Sequence, residues 1–368
     1  MSVHNPQEFA AALGAKLATR SRHVCIFVGA GAAKACGLPD VKGLEGYVRD
    51  KLKEDDVAAF DRLIDGRNIE QVLSRLRRIS GLIVGDETVD GLTATQAEGL
   101  DTSICSAIVG ALDAGSANLA PMNHLAAWAA RTDYRYPVEI FTVNYDLLLE
   151  TALEEYGVPY FDGFVGNLRA RFRTDLVEAP LGDPSGYVAS GFIRLWKLHG
   201  SVNWVRSGDD QIVRIGQSAR ELPAAIYPSD AKYEESRRVP FLVLQDRFRR
   251  ALHQPETIVL ISGFSFADEH LNEMLLDAAM RRERSEFVVF CYDEISVELA
   301  SRAEQTPNLQ VIGRNEAILG GVRGSWSGPE SDVRGLWEAG RLMLPDFAYL
   351  ASYLARSSAY DSEVPGDA

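Results

Sequence analysis

The chain has 368 residues, 46% of them hydrophobic and 24% charged, the balance of a soluble globular protein with room for a large core. Its net charge of −14 works against direct, sequence-independent nucleic-acid binding, which needs clustered Lys and Arg to displace counterions. Four scattered cysteines (Cys25, Cys36, Cys105, Cys291) form no CxxC pair, which disfavours a disulfide framework or a cysteine zinc module and fits a reducing cytoplasm.

Phe9, Leu13 and Leu17 recur every four residues, the spacing of one helix face, and nothing near the N-terminus has the apolar core of a signal peptide. No later run approaches the roughly 20 apolar residues of a membrane span. Residues 24–28 are an apolar, β-branched and aromatic run ending at Gly29, as expected of a strand buried on both faces of a parallel sheet. Five similar runs follow. Residues 138–143 end at Asn144, 192–198 at His199, 257–261 at Ser262-Gly263, 287–291 at Tyr292-Asp293, and 309–312 at Gly313.

Helical stretches between these runs, such as 147–156 and 270–280, give the alternation of a doubly wound, mostly parallel Rossmann-like α/β sheet. In such sheets ligands bind beyond the carboxyl ends of the strands, so the polar residues just named should share one edge. Between the first two strands, Ile69, Val72, Leu73, Leu76 and Ile79, then Cys105, Ile108, Val109 and Leu112, repeat at helical spacing. This predicts a sheet domain of 1–44 and 133–318, an inserted helical domain of 45–132, and a C-terminal helical extension of 319–368 with a frayed tail. A second, irregular insertion is expected at 160–190, its Arg169, Arg171 and Arg173 solvated or facing a partner. Trp196 and Trp204 read as core.

Several strand ends carry residues suited to chemistry. Gly29-Ala30-Gly31-Ala32-Ala33 would let backbone N–H groups and a helix N-terminus approach a diphosphate. No ribose-binding acid follows about 20 residues later, as the common dinucleotide fingerprint requires. Gly37-Leu38-Pro39-Asp40 stops the helix after little more than one turn and folds the chain back as a loop. His4, His23, His124 and His253 lack partners at metal-ligand spacing, so no metal site is expected.

The segment 29–40, GAGAAKACGLPD, resembles the sirtuin signature of a GAG turn, a small-residue helix and a G-I-P-D-F-R loop. Thr142-Val143-Asn144-Tyr145-Asp146 resembles its T-Q-N-x-D. Lys197-Leu198-His199-Gly200 is similar to the segment holding the sirtuin histidine, and Ser262-Gly263-Phe264-Ser265 stands where its later phosphate loop does. There are departures: no four-cysteine zinc module, Val41-Lys42 in place of Phe-Arg, and no acyl-peptide strand after Gly200. Ser201-Val202-Asn203-Trp204, Ile226-Tyr227-Pro228, Lys232-Tyr233 and the run from Ser262 to Asn272 look instead like the bacterial sirtuin-like proteins of antiphage defence, which hydrolyse NAD.

The resemblance implies an NAD hydrolase that cleaves the nicotinamide-ribose bond, with Asn144, His199 and Asp146 as catalytic residues. Asn144 would bind the ribose and orient water, His199 would take up a proton, and Asp146 would stabilise the cationic sugar. Asp40 would hold the carboxamide, within a nucleotide-contacting set of Gly29, Ala30, Gly31, Ala32, Leu38, Thr142, Gly200, Ser262, Gly263, Phe264, Ser265, Tyr292 and Asp293. Bland alternatives stay open: Asn144 as a cap for a helix beginning at Tyr145, His199 as a turn residue, Asp40 as part of a Pro-Asp turn, and Asp268, His270 and Asn272 as caps. A sirtuin-type deacylase or ADP-ribosyltransferase and a non-catalytic nucleotide-binding scaffold are the competing functions. The family's architecture further implies a regulated homo-oligomer paired with a HerA-type hexameric ATPase. The helical insertion, or the region holding Trp326, Trp337, Leu342 and Leu344, would be its contact surface unless those residues complete the core.

Overall fold

The computed structural model describes residues 2–357, except 132, 182–187, 190, 208–210, 217–223, 227–238 and 282–283. In chain order its elements are β1 (Ser2–His4), α1 (Pro6–Ala18), β2 (His23–Val28), α2 (Ala30–Ala35), α3 (Val41–Lys51), α4 (Glu54–Ile64), α5 (Ile69–Leu82), α6 (Ala94–Ala111) and α7 (Ala120–Arg131). Then come β3 (Glu139–Thr142), α8 (Leu148–Glu155), β4 (Tyr160–Phe161), β5 (Phe164–Val165), β6 (Arg169–Phe172), α9 (Thr174–Glu178), β7 (Ile193–Lys197), β8 (Gly200–Arg206), β9 (Ile212–Ile215), β10 (Ala224–Ile226) and α10 (Phe241–Leu252). The chain finishes with β11 (Thr257–Ser262), α11 (Glu269–Arg281), β12 (Glu286–Phe290), α12 (Val297–Gln305), β13 (Leu309–Ile312), β14 (Glu316–Leu319), β15 (Val322–Trp326), β16 (Trp337–Glu338), β17 (Arg341–Leu342) and α13 (Phe347–Ser357).

The main sheet has the order β1-β15-β14-β13-β12-β11-β2-β3-β7-β4. Its strands from β13 to β4 are all parallel. From β2 the chain goes to β3 and β7 on one side, then returns to place β11, β12 and β13 on the other. The order therefore reverses between β2 and β11, which opens a crevice at their carboxyl ends.

Burial explains the apolar runs. Every residue of β2 and of β11 is buried, because the alternating side chains serve two covered faces. Val24, Ile26 and Val28 join one core with α1, α3 to α8 and α13, whereas Cys25 and Phe27 join another with α10, α11 and α12. The helices between β2 and β3 share the first of these cores with the sheet; Val48, Phe60, Leu73 and Ile104 belong to it.

Two regions differ from expectation. Residues 160–178, expected to be irregular, hold strands, and β5 and β6 join an antiparallel sheet of order β10-β8-β9-β6-β5. Arg169 and Arg171 are its outward residues and flank buried Ala170. Arg171 bonds Gln211, and Arg173 pairs with Asp175. Beyond residue 319, expected to be helical, a β14–β15 hairpin extends the main sheet and, among the described residues, α13 alone is an α-helix. Trp326, Trp337, Leu342 and Leu344 are buried in the first core, so they complete the fold and offer no contact surface. The expected frayed tail from 358 lies outside the described residues.

Candidate active site

At the reversal point β2 and β11 are paired so that Val28 lies opposite Ser262. The loops that follow are therefore pressed together. Gly29 N–H donates to the Ser262 carbonyl (3.0 Å) and Gly31 N–H to the Gly263 carbonyl (2.8 Å). A Cβ on Gly29 would lie 2.4 Å from the Gly263 oxygen, and one on Gly263 2.5 Å from the Ala32 nitrogen. Only glycines permit so close an approach of two backbones. The N–H groups that the sequence offers to a diphosphate are thus engaged within the protein, Ala32 N–H also, by the Gly29 carbonyl. Ala32 and Leu38 are buried behind this contact, as is Ser262, whose hydroxyl has no hydrogen-bond partner among the described residues.

At the end of β3, Thr142 hydroxyl donates to the Val28 carbonyl and accepts from Asn144 N–H. The Asn144 side chain donates to the Gly29 carbonyl at 3.1 Å. It therefore caps no helix: α8 starts at Leu148, and Asp146 accepts from Leu148 N–H. Asp146 is buried, which pushes its carboxyl up against the opposing pull of the Lys197 ammonium. Buried Lys197 ties the loop down by donating to the carbonyls of Tyr145 and Asp146 and to Glu150 (2.9 Å).

His199 occupies the link between β7 of the main sheet and β8 of the antiparallel one. Gly200, at φ 95°, makes that reversal possible. The His199 Nε2 lies 3.2 Å from the Asp268 carboxylate. Both side chains are buried.

The Gly37–Asp40 loop leads into α3, which Asp40 caps by accepting from Gly43 N–H; its other oxygen takes the Lys34 ammonium at 2.8 Å. The Lys34 hydrogen bond, then that of Gly43, hold this carboxyl below its ordinary range. Across from it, Tyr145 hydroxyl donates to Glu70 of α5 (2.8 Å).

A cavity of about 190 Å³ brings these parts together. Asn144, Asp146, His199, Asp40, Ala30, Phe264 and Ser265 line it; Gly29, Gly31, Ala32, Leu38, Thr142, Gly200, Ser262 and Gly263 do not. Tyr292 and Asp293, beyond β12, are exposed and apart from it, Tyr292 facing the Arg314 guanidinium. Among the described residues that line it, four are acidic (Asp40, Glu70, Asp146, Asp268) and none is Lys or Arg, while Leu44, Ile69, Leu73, Ile108 and Leu112 make its other wall apolar.

Sequence reasoning missed Glu70, Lys197 and Glu150. The capping box of Asn68 and Gln71 marks the start of α5, but nothing local says that this helix end faces the sheet. Asp268 both caps, accepting from Leu271 N–H, and lines the cavity; Asn272 clamps the Phe266 carbonyl, and exposed His270 does neither. Tyr227, Pro228, Lys232 and Tyr233 lie outside the described residues.

Far from the cavity, at the amino ends of β2 and β3, His23, Cys25 and Glu139 bring ligand-type atoms within 4.8 Å of one another, a cluster that sequence spacing does not show. Its carboxylate is already held by Arg247 on both oxygens and by Trp196 Nε1–H. All four cysteines are free. Among the described residues no helix is long and apolar enough to cross a membrane.

Fold and site together define a doubly wound α/β protein with an acidic, half-apolar cavity at its switch point. Residues 138–312 match the family model of the SIR2-like domain. That span contains Asn144, Asp146, His199 and the loop from Ser262 to Asp268, and excludes the glycine loop after β2. A solved structure described as a Sir2 homologue mutant in complex with ADP-ribose is 13% identical, covering 96% of this chain and 98% of its own, with a TM-score of 0.42. No curated protein matches the chain in sequence.

Proposed function

We propose that this chain binds NAD and hydrolyses its nicotinamide-ribose bond. The observation that carries the reading is the convergence of Asn144, Asp146 and His199, from beyond the ends of adjacent strands β3 and β7, on one cavity whose other charged lining residues, among those described, are carboxylates. A wall of that sign repels phosphate and favours a cation. The nicotinamide ring of NAD is cationic, and its departure leaves oxocarbenium-like charge on the sugar. Preorganised carboxylates stabilise that charge as it develops. The apolar wall suits the flat ring.

In the proposed step the C–N bond breaks and its electron pair neutralises the ring nitrogen. Water then attacks the same carbon. Asn144, anchored through its amide N–H on Gly29, presents its oxygen to the ribose and that water, and His199 takes the proton released. Asp146 faces the sugar, and Asp40 accepts from the carboxamide in exchange for Lys34. About 190 Å³ suits nicotinamide with part of its ribose, since larger ligands occupy about 300–1,000 Å³. The diphosphate then runs outward past Ala30 and Ser265, with Tyr292 and Asp293 toward the far end.

Three extensions go with this reading: residues 45–132 form a helical insertion, on their apolar periodicity; the chain works in the cytoplasm, on its scattered cysteines; and, on the sequence resemblance, it works as an oligomer that a HerA-type ATPase controls in antiphage defence. The test is nicotinamide release from NAD by the purified chain, alone and with that partner, without an acceptor. Release supports hydrolysis; turnover only with an acyl-peptide or other acceptor would support the transferase reading; binding without turnover would refute catalysis.

A further inference from the structure

The loop after β11 does more than abut the glycine turn. It is fixed at three points before it enters α11. Phe264 packs on Phe27 and on Phe266. Phe266 holds a left-handed backbone (φ 56°), costly for a non-glycine residue, while its carbonyl accepts from the Asn272 side chain at 2.6 Å. Asp268 then spends one carboxylate oxygen on Leu271 N–H, at the start of a 13-residue helix. The other oxygen is thereby aimed at His199 Nε2, 3.2 Å away, with both side chains 9% exposed.

A carboxylate held rigidly against one ring nitrogen fixes both the orientation and the tautomer of an imidazole. The neutral ring must carry its proton on Nε2 and keep Nδ1 as the acceptor. When Nδ1 takes a second proton, the carboxylate stabilises the imidazolium. This is the logic by which a third group orients a general base.

We propose that Asp268 is the positioning residue of His199: it holds the ring so that Nδ1 accepts the proton lost by the attacking water, which then passes to solvent when the ring resets. The inference rests on the hydrolase reading for its catalytic consequence, but the pairing itself stands apart from it. It gives the last residue of the loop between β11 and α11 a role that its helix cap alone does not require.

The test uses Asp268→Ser, which keeps a good helix cap but is too short to reach His199, with Asp268→Asn as the charge-only change. Both are expected to lose about 100-fold or more in kcat with KM for NAD within threefold. A His199→Ala/Asp268→Ser double variant should be no slower than His199→Ala alone, because the two residues act as a unit. In nitrogen-15 spectra of the full chain without ligand, the His199 Nε2–H resonance should be shifted downfield and protected from exchange, and should vanish in Asp268→Ser. A folded Asp268→Ser variant with unchanged kcat, or a double variant showing additive losses, would overturn the proposal. If the unmodified chain released no nicotinamide, the hydrolase reading would fall and the resonance alone would decide: its loss in Asp268→Ser sustains the pairing, and its persistence refutes it.

Discussion

Gly263→Ala probes the contact on which the crevice is built. The new Cβ would lie 2.5 Å from the Ala32 nitrogen and 3.0 Å from the Gly31 carbonyl carbon, both backbone atoms that cannot swing aside. The left-handed φ of 68° adds its own penalty for any L side chain, about 1–2 kcal/mol. Forcing an extra carbon into a packed interior adds about 1–3 kcal/mol, for a total of about 2–5 kcal/mol. Gly157, at φ 61° with open space around it, supplies the control, since Gly157→Ala meets only the first penalty. Urea unfolding of the two variants should therefore show Gly263→Ala less stable by about 1–3 kcal/mol at an unchanged m-value. Activity should separate them more sharply. The Gly29 and Gly31 bonds to the β11 loop set where Ala30, Phe264 and Ser265 stand, and a displacement of about 1 Å at a reacting centre costs about 100-fold. Equal stability and equal turnover in the two variants would refute the close packing of these loops.

Burial alone would raise the Glu139 carboxyl, but Arg247 and His23 bring it from its ordinary 4.5 to about 2. The depressed value means that its contribution is present above pH 4.5 and is lost as pH falls from 4.5 towards 2, about 3 kcal/mol in all. Urea unfolding between pH 7 and pH 2.5 should show this slope, and Glu139→Gln should lack it while losing about 3–5 kcal/mol at pH 7 through the stranded Arg247. Lys197→Met strands buried Glu150 and unties the Asn144–Asp146 loop, for a loss of about 3–5 kcal/mol. Adding Glu150→Gln should restore part of it, and a cycle with no coupling energy would contradict that pair.

The sequence disclosed the parts of the fold whose physics is local. Six apolar runs mark β2, β3, β7, β11, β12 and β13 because strands covered on both faces need no polar side. Helices α5 and α6 were legible from their 3.6-residue stripe. The antiparallel sheet was harder: β5 has two residues and β6 four, too short for alternation to stand out, and the arginines suggested a loop. Yet β14 and β15 had a readable signal, Gly320-Gly321 as a two-residue turn between Leu319 and Val322, overlooked in favour of the apolar content beyond it.

The same divide holds at the site. Asn144 and His199 could be named because each follows a strand and parallel topology gathers strand ends, and Asp146 because it completes the motif that Asn144 belongs to. Glu70 could not, since its meeting with Tyr145 depends on how a helix 75 residues away packs on the sheet. Asp268 was visible only as a cap, because a bond across 69 residues of chain leaves no local trace.

The most direct measurement is nicotinamide release by Asn144→Ala and His199→Ala, each checked for fold by thermal unfolding and for NAD binding by calorimetry. The account predicts that both variants still bind NAD yet release nicotinamide at least about 100-fold more slowly than the unmodified chain. Release by either variant at the unmodified rate would contradict it.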